Sequence, residues 1–268
     1  MSDLSNLQTF FRDISFNDDP KRRNKNTYLV QLDPFHIQPN NYAVKPLQQY
    51  KGILTWNSKI YHQLKGMGAN VAKLPYFPFL DNDGKITEFL SYEEKEGICI
   101  IEPTQHISAH PFDITNKKLD MFMSLKHIKK HAYGSMAFAG NFYVGNVLSN
   151  SDKLQTINDH RFCVCFDDIY HPIWSWDYIT NKIIDCFKSK TIPIYYGCYN
   201  IDEIIPSNLF IDFRDFSNVA DLNEYLLEFN EDMYTRITEN AYQWVQSSKL
   251  GDVNKFAEIL QKYTQDKK

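Results

Sequence analysis

One lysine stands at the head of a predicted helix that lies between two apolar runs typical of buried strands. The runs are RFCVCF (161–166) and TIPIYY (191–196), and the helix covers residues 180–188. Lys182 falls in the first turn of this helix, where the helix dipole disfavours a cation. A bound anion would remove the conflict, because helix N-termini at the carboxyl edge of parallel sheets are common phosphate sites. A diphosphate site at Lys182 would explain the pattern, and the alternative is an exposed lysine with no special role.

The segments around Lys182 form a predicted strand–helix–strand unit. The two apolar runs begin about 30 residues apart, which suits a single βαβ crossover. Four apolar side chains of the helix recur at helical spacing and predict a face packed against the sheet: Ile179, Ile183, Ile184 and Phe187. Thr180 is the predicted N-cap, whose hydroxyl would accept a hydrogen bond from a first-turn amide.

The rest of the chain alternates between short apolar runs and amphipathic stretches. Predicted strands cover residues 27–33, 52–56, 70–75, 97–102 and 208–213. Predicted helices cover 57–64, capped by Asn57 or Ser58, then 119–131, and three segments after residue 218. This alternation predicts an α/β fold with parallel sheets and helices on both faces. A boundary near residues 115–135 would divide the chain into two halves of similar size, 1–125 and 126–268.

Composition limits the classes of protein to which the chain could belong. The net charge of −4 gives no support for binding nucleic acid or an anionic membrane. Five cysteines without a C-x-x-C pair suggest buried free thiols in a reducing compartment. No apolar run approaches 18 residues, and the N-terminus lacks the profile of a signal peptide. We therefore expect a soluble, cytoplasmic protein without an integral membrane segment, or one cut free of an anchor.

Four segments in the second half resemble the donor-binding motif of the α-1,3-fucosyltransferases, glycosyltransferase family 10. In that family a strand ending Cys/Ala-Phe-Glu-Asn precedes Tyr-Val-Thr-Glu-Lys-Ile and then Ile-Pro-Ile-Tyr-Trp-Gly. The matching segments here, in order, are CFDD (165–168), DYITNKIID (177–185), TIPIYYG (191–197) and NLFIDFRDF (208–216). The resemblance covers residues 160–235 and is much weaker in the N-terminal half.

The resemblance implies a GT-B architecture, in which two Rossmann-like domains face each other across a cleft. Residues 1–125 would form the acceptor-side domain and residues 126–268 the nucleotide-sugar-binding domain. The implied activity is an inverting transfer of a sugar, fucose or another such as xylose, from a nucleoside-diphosphate donor to a hydroxyl of a glycan or glycoprotein. No cofactor or metal is implied. Exostosin-like or xylosyltransferase relatives, and a non-catalytic glycan- or nucleotide-binding protein, remain alternatives.

The resemblance also suggests which residues would bind the donor. Lys182 matches the lysine that contacts the donor phosphate, and Asn181 replaces a carboxylate that binds the ribose. An amide can still bond a hydroxyl, although without charge assistance, so the donor need not be GDP-fucose. The remaining predicted donor-binding residues are Thr180, Tyr178, Arg161, Asp168 and Gly197.

An inverting transfer also needs a general base for the acceptor hydroxyl. Asp33 is the first candidate because it ends a predicted strand, where Rossmann-like sites gather their side chains. His36 and Glu102 are the others, and all three have structural alternatives as a loop cap, a surface imidazole and a solvated strand end. Two histidine pairs at i,i+4 spacing, His106 with His110 and His127 with His131, could form half a metal site, but we favour surface histidines.

Overall fold

A computed structural model describes residues 14–265 except 34, 36, 75–85, 103–110, 136, 148, 249, 251 and 252. The described residues form two compact units. The first contains 14–74, 171–178 and 253–265, and the second contains 86–170 and 179–250. His36, His106 and His110 lie outside the described residues.

The strands and helices of the described residues are numbered in chain order. The strands are β1 (Ile14–Phe16), β2 (Tyr28–Gln31), β3 (Gly52–Thr55), β4 (Val71–Lys73), β5 (Glu96–Glu102), β6 (Lys130–Gly134), β7 (Tyr143–Gly145), β8 (His160–Phe166), β9 (Ile192–Tyr196) and β10 (Ile211–Asp212). The α-helices are α1 (Val44–Leu47), α2 (Ser58–Gly66), α3 (Thr115–Ser124), α4 (Asn150–Asn158), α5 (Asn181–Lys188), α6 (Val219–Leu227), α7 (Glu231–Ser247) and α8 (Val253–Gln265).

The first unit contains a four-stranded parallel sheet in the order β1-β2-β3-β4. Its core is built from apolar side chains of β2, β3 and α2, including Leu29, Ile53 and Leu64. Helix α2 begins as predicted, because the Asn57 side chain accepts a hydrogen bond from the Ile60 amide at 3.0 Å. Helix α8 also belongs here: the Tyr263 hydroxyl donates to the Asn70 side chain at 2.9 Å.

The second unit contains a six-stranded parallel sheet in the order β10-β9-β8-β5-β6-β7. The chain builds outward from β5 to β7 and then returns to the centre to place β8 on the other side of β5. The strand order therefore reverses between β5 and β8. In open α/β sheets, ligands bind outside the carboxyl ends of the strands at such a switch point.

Helices cover both faces of the second sheet, as predicted. Phe162 and Val164 of β8 face Met121 and Phe122 of α3 and the buried leucines of α6. The opposite face of β8 carries Cys163 and Cys165, because successive side chains of a strand point to opposite sides. Helix α5 packs on this second face: the sulfur atoms of Cys165 and Cys186 are 3.2 Å apart.

The predicted helix over residues 119–131 is wrong in its bounds. Helix α3 ends at Ser124, Leu125 is extended, and His127 has a positive φ of 62°. The ammonium of Lys130, already in β6, donates to the carbonyls of Phe122, Met123 and Leu125, and so satisfies the free end of α3. His127 and His131 therefore do not share a helix face, and His131 Nδ1 lies 2.7 Å from His160 Nε2.

The boundary predicted at residue 125 does not match the two units. It falls between β5 and β6, which are adjacent strands of one sheet. Residues 171–178 also return to the first unit, where Asp177 accepts hydrogen bonds from Ser58 and Lys73. A single cut in the sequence could not represent this division.

Among the described helices, none combines the length and the apolar composition that a membrane span requires.

Candidate functional site

A cluster of charged side chains lies at the switch point of the second sheet. Glu102 ends β5, Asp167 and Asp168 follow β8, and Lys182 lies in the first turn of α5. The carboxyl ends of adjacent parallel strands lie at one edge of the sheet, which brings these residues together although they are distant in sequence. All of them belong to the second unit.

Lys182 is held by three oxygen atoms from the two central strands. Its Nζ donates to Glu102 Oε1 at 3.3 Å and to the Phe166 carbonyl at 3.1 Å, and it lies 3.8 Å from Asp168 Oδ1. Burial alone would lower the pKa of Lys182, but the negative charges of Glu102, Asp168 and Asp167 outweigh burial and raise it. The side chain keeps 22% of its surface exposed at this edge of the sheet.

A second lysine shares the same carboxylate. Lys118 of α3 donates to Glu102 Oε1 at 2.7 Å, and only 1% of its side chain is exposed. Burial lowers the pKa of Lys118, and the neighbouring charge of Lys182 lowers it further. One oxygen atom of Glu102 thus neutralises two cations. Asp168 and Asp167 add further negative charge near Lys182, so the cluster holds two lysines and three carboxyl groups.

Asp167 holds the start of α5 through side-chain hydrogen bonds. It is fully buried and accepts hydrogen bonds from the Thr180 hydroxyl at 2.5 Å and from the Tyr195 hydroxyl. Burial raises the pKa of Asp167 to about 6, although both hydrogen bonds oppose this shift. Gly197 lies against the same carboxylate: a Cβ atom at this position would be 2.6 Å from Asp167 Cβ and Cγ.

The predicted N-cap of α5 is right in position but wrong in its hydrogen bond. Thr180 has the extended backbone of an N-cap residue, yet its hydroxyl donates to Asp167 instead of accepting from the helix. The Thr180 side chain therefore does not cap the first-turn amides of α5. Uncapped amides and the helix dipole favour an anion at this end.

One of the predicted donor-binding residues lies elsewhere. Arg161 is at the amino end of β8, roughly 16 Å along the strand from Phe166; its Nε donates to the Tyr92 carbonyl and its guanidinium lies 4.2 Å from the Tyr92 ring centre. Tyr178 belongs to the first unit and is buried, with its ring 5.5 Å from that of Trp56. Asn181 is the first residue of α5 and is half-buried.

Of the three candidate bases, Asp33 lies in the first unit just after β2. Its Oδ2 accepts from Asn17 Nδ2 at 2.8 Å, and its carbonyl accepts from the Tyr42 hydroxyl at 2.9 Å. Burial raises the pKa of Asp33, and the hydrogen bond from Asn17 only partly offsets the shift. Glu102 lies in the second unit between two lysines, and His36 is outside the described residues.

Lys118 is not among the residues singled out from the sequence, although the spacing of this lysine with apolar residues is a usable signal. Lys118 is spaced at i, i+3, i+4 and i+7 with Met121, Phe122 and Leu125, all of which are buried. A lysine on the apolar stripe of a helix needs a buried partner, and Glu102 is that partner. Among the described residues, the one group of histidine, cysteine or acidic side chains close enough together to hold a metal ion is a set of three cysteines, and it includes no member of this cluster.

Comparisons with known proteins agree with this geometry. The sequence profile described as glycosyltransferase family 10 (fucosyltransferase) C-term matches residues 107–265, more than half of the chain. The mouse 4-galactosyl-N-acetylglucosaminide 3-alpha-L-fucosyltransferase 9 is 30% identical over 108 residues, which is 40% of this chain and 27% of that protein. The chain thus matches about a quarter of the length of this relative.

Solved structures show the same fold at low identity. An alpha1,3-fucosyltransferase crystallised with GDP has a TM-score of 0.55 at 15% identity, covering 96% of this chain and 78% of the other. The Anabaena HepE protein in complex with UDP and glucose has a TM-score of 0.60 at 9% identity, covering 97% and 80%. These proteins are GT-B glycosyltransferases, so the predicted α/β fold of GT-B type is confirmed.

Parallel α/β units, a cluster of lysines and carboxylates at the switch point and a profile match across more than half of the sequence lead to one assignment, which confirms the predicted resemblance. The chain belongs to glycosyltransferase family 10, the fucosyltransferase family.

Proposed function

We propose that this glycosyltransferase binds the diphosphate of a nucleotide sugar at the first turn of α5 and transfers the sugar to a hydroxyl of a glycan or glycoprotein. The observation that carries the proposal is the position of Lys182, which lies at the switch point with a partly exposed side chain. A diphosphate at this position would interact with that ammonium and with the uncapped amides of α5.

Two lysines support a role in stabilising the leaving group. As the bond to the sugar breaks, negative charge grows on the departing diphosphate, and preorganised cations lower the energy of that state. Lys182 can turn from Glu102 to the diphosphate while Glu102 keeps its 2.7 Å ion pair with Lys118. We therefore propose that Glu102 holds the two lysines in place and does not act as the general base.

We further propose that the transfer inverts the anomeric configuration and needs no metal ion. Lys182, Lys118 and the N-terminus of α5 would supply the positive charge that a divalent cation supplies in other transferases. The first donor to test is GDP-fucose, since the family is that of the fucosyltransferases and one similar structure was solved with GDP. A different sugar nucleotide, such as a xylose donor, is the alternative, because Asn181 replaces the carboxylate of the family motif.

Asp33 remains the proposed general base. Its raised pKa, caused by burial, makes it a stronger proton acceptor than an ordinary aspartate.

All five cysteines are free and buried, which fits a reducing compartment such as the cytoplasm.

The test is a thermal-shift screen with GDP, UDP and their sugar conjugates, followed by product analysis with a glycan panel. We expect one diphosphate nucleotide to raise the melting temperature of the protein and its sugar conjugate to be consumed in the presence of chelator. Comparison of the anomeric configuration of donor and product by NMR decides between inversion and retention. If no nucleotide binds, the site is wrong; binding without turnover would instead favour the non-catalytic relative.

A further inference from the structure

One face of the second sheet carries a group of thiols. Cys163 and Cys165 alternate along β8 and point to the same side, and Cys99 of β5 is in register with Cys163. Cys186 of α5 reaches the same place from the helix that covers this face. All four side chains are buried, with exposures between 0% and 4%.

Three of these sulfur atoms converge on one point. The sulfur atoms of Cys163, Cys165 and Cys186 all lie within 4.8 Å of one another, and those of Cys165 and Cys186 are 3.2 Å apart. In thiolate sites with zinc–sulfur bonds of about 2.3 Å, neighbouring sulfurs are about 3.8–4.0 Å apart. Small rotations about the side-chain bonds would bring the three cysteines to that spacing.

We infer that Cys163, Cys165 and Cys186 form a binding site for a soft d10 metal ion, zinc in the first instance, with Cys99 as the adjacent fourth thiol. Thiolates are the ligands that such ions prefer. Binding replaces three S–H protons by three metal–sulfur bonds and releases the protons to solvent, so the step needs no oxidant or reductant. The inference does not depend on the proposed sugar transfer.

A buried cation beside the thiols supports an anionic site. Three thiolates and a divalent ion carry a net charge of −1, which is costly in a dry core without a counter-charge. Lys95 is 3% exposed, and its ammonium interacts electrostatically with Asp159, Cys99 and Cys186. Its hydrogen-bond acceptors among the described residues are all neutral: the carbonyls of Asn158 and Ser189 and the side-chain oxygens of Asn158 and Thr191. A metal–thiolate group would give this buried ammonium a second anionic neighbour besides Asp159.

The position of the site indicates what a bound ion would do. It would link β8 to α5 beneath the first turn of that helix, where the Cys165 thiol lies 3.7 Å from the Lys182 carbonyl. Binding to the folded state alone stabilises a protein. We therefore expect a structural ion that pins α5 to the sheet.

The test is a titration of the full chain, purified with chelator, with Cd²⁺ as a spectroscopic substitute for zinc. The expected result is a sulfur-to-cadmium charge-transfer absorption that saturates at one ion per chain, together with a higher melting temperature. Zinc should compete for the same site. The zinc content of protein purified without chelator, measured by mass spectrometry, should also approach one ion per chain.

Variants distinguish the three ligands from other thiols. Cys186→Ser and Cys165→Ser should abolish the absorption and the rise in melting temperature. Cys198→Ser is the matched control: Cys198 is equally buried but bonds the Asn200 side chain outside the cluster, so this variant should titrate like the wild type. Circular dichroism identifies variants that fail to fold. If a variant does fail, the titration of the wild-type protein still decides whether the metal site exists. Absence of cadmium absorption, equal loss in Cys198→Ser, or a Cys165–Cys186 disulfide found in the purified protein would each overturn the inference.

Discussion

Lys182 Nζ lies 3.3 Å from Glu102 Oε1, although 80 positions separate the two residues in the sequence. Glu102 ends β5 and Lys182 opens α5, and the return of the chain from β7 to β8 brings these two ends together. The same carboxylate also binds Lys118. Lys182, a cation in the first turn of a helix, is thus neutralised by a carboxylate at the end of a strand.

Replacing Lys182 by alanine should weaken the binding of a nucleoside diphosphate about 10- to 100-fold. The lost interaction is a charge-assisted hydrogen bond, worth about 1.5–3 kcal/mol. Folding should be little affected, because Glu102 keeps Lys118 as its partner. Calorimetric titration of the nucleotide measures the loss. Lys188→Ala, in the last turn of the same helix, is the control and should bind as the wild type does; equal affinity in Lys182→Ala would remove the proposed phosphate site.

Lys118→Ala should destabilise the fold by about 3 kcal/mol. Removing one partner of a buried ion pair leaves the other charge less well compensated. Lys182 still contacts Glu102, which limits the loss. Urea denaturation followed by circular dichroism gives the free energy of unfolding. The matched control is Lys129→Ala, whose ion pair with Glu96 is exposed on both sides and is worth at most about 1 kcal/mol. Similar losses of stability in both variants would show that the buried ion pair contributes no more to the free energy of unfolding than the exposed one.

Asp33→Asn should leave nucleotide binding intact and lower the transfer rate about 10²- to 10⁴-fold, the usual contribution of a general base. Asparagine keeps an oxygen that can accept the Asn17 hydrogen bond, so the loop should keep its structure. Because burial raises the pKa of Asp33, the acidic limb of the wild-type pH–rate profile should lie above the ordinary aspartate range. Unchanged turnover in the variant would assign the base to another residue.

The local elements were more predictable than their arrangement. The sequence predicted β5, β8, α5 and β9 nearly to the residue, because apolar runs and a helical stripe define them. It did not predict that α3 ends at Ser124, since Lys130 caps that helix from the next strand. The ion pairs of Glu102 with Lys118 and Lys182 could not be predicted either, because they depend on strand order, which no local pattern encodes. The structure places Arg161 away from the cluster, because Arg161 lies at the amino end of β8 and the cluster lies at the carboxyl end.

The stability of the protein should fall as the pH rises from about 4 to about 6, through Asp167. Its pKa is raised to about 6 by burial, so between the unfolded and folded pKa values the folded state binds the extra proton. Loss of that proton as the pH rises costs stability on the order of 3 kcal/mol. This cost is absent below the unfolded pKa and complete above pH 6. Urea denaturation across this range should show a smaller fall in Asp167→Asn than in the wild type, because Asp33 also has a raised pKa and keeps its contribution, whereas exposed Asp221→Asn should behave as the wild type does.

Gly197→Ala should destabilise the protein by about 1–3 kcal/mol and weaken nucleotide binding as well. The added methyl group would press on Asp167, which cannot move freely because Thr180 and Tyr195 both donate to it. Displacing Asp167 would shift Thr180 and with it the first turn of α5. Gly66→Ala provides the matched control, since the new methyl group would meet nothing within 4 Å at the end of α2. That variant should be neutral or more stable by up to about 1 kcal/mol. Chemical denaturation and nucleotide titration of both variants give the comparison, and a neutral Gly197→Ala would show that Asp167 does not fix the position of α5.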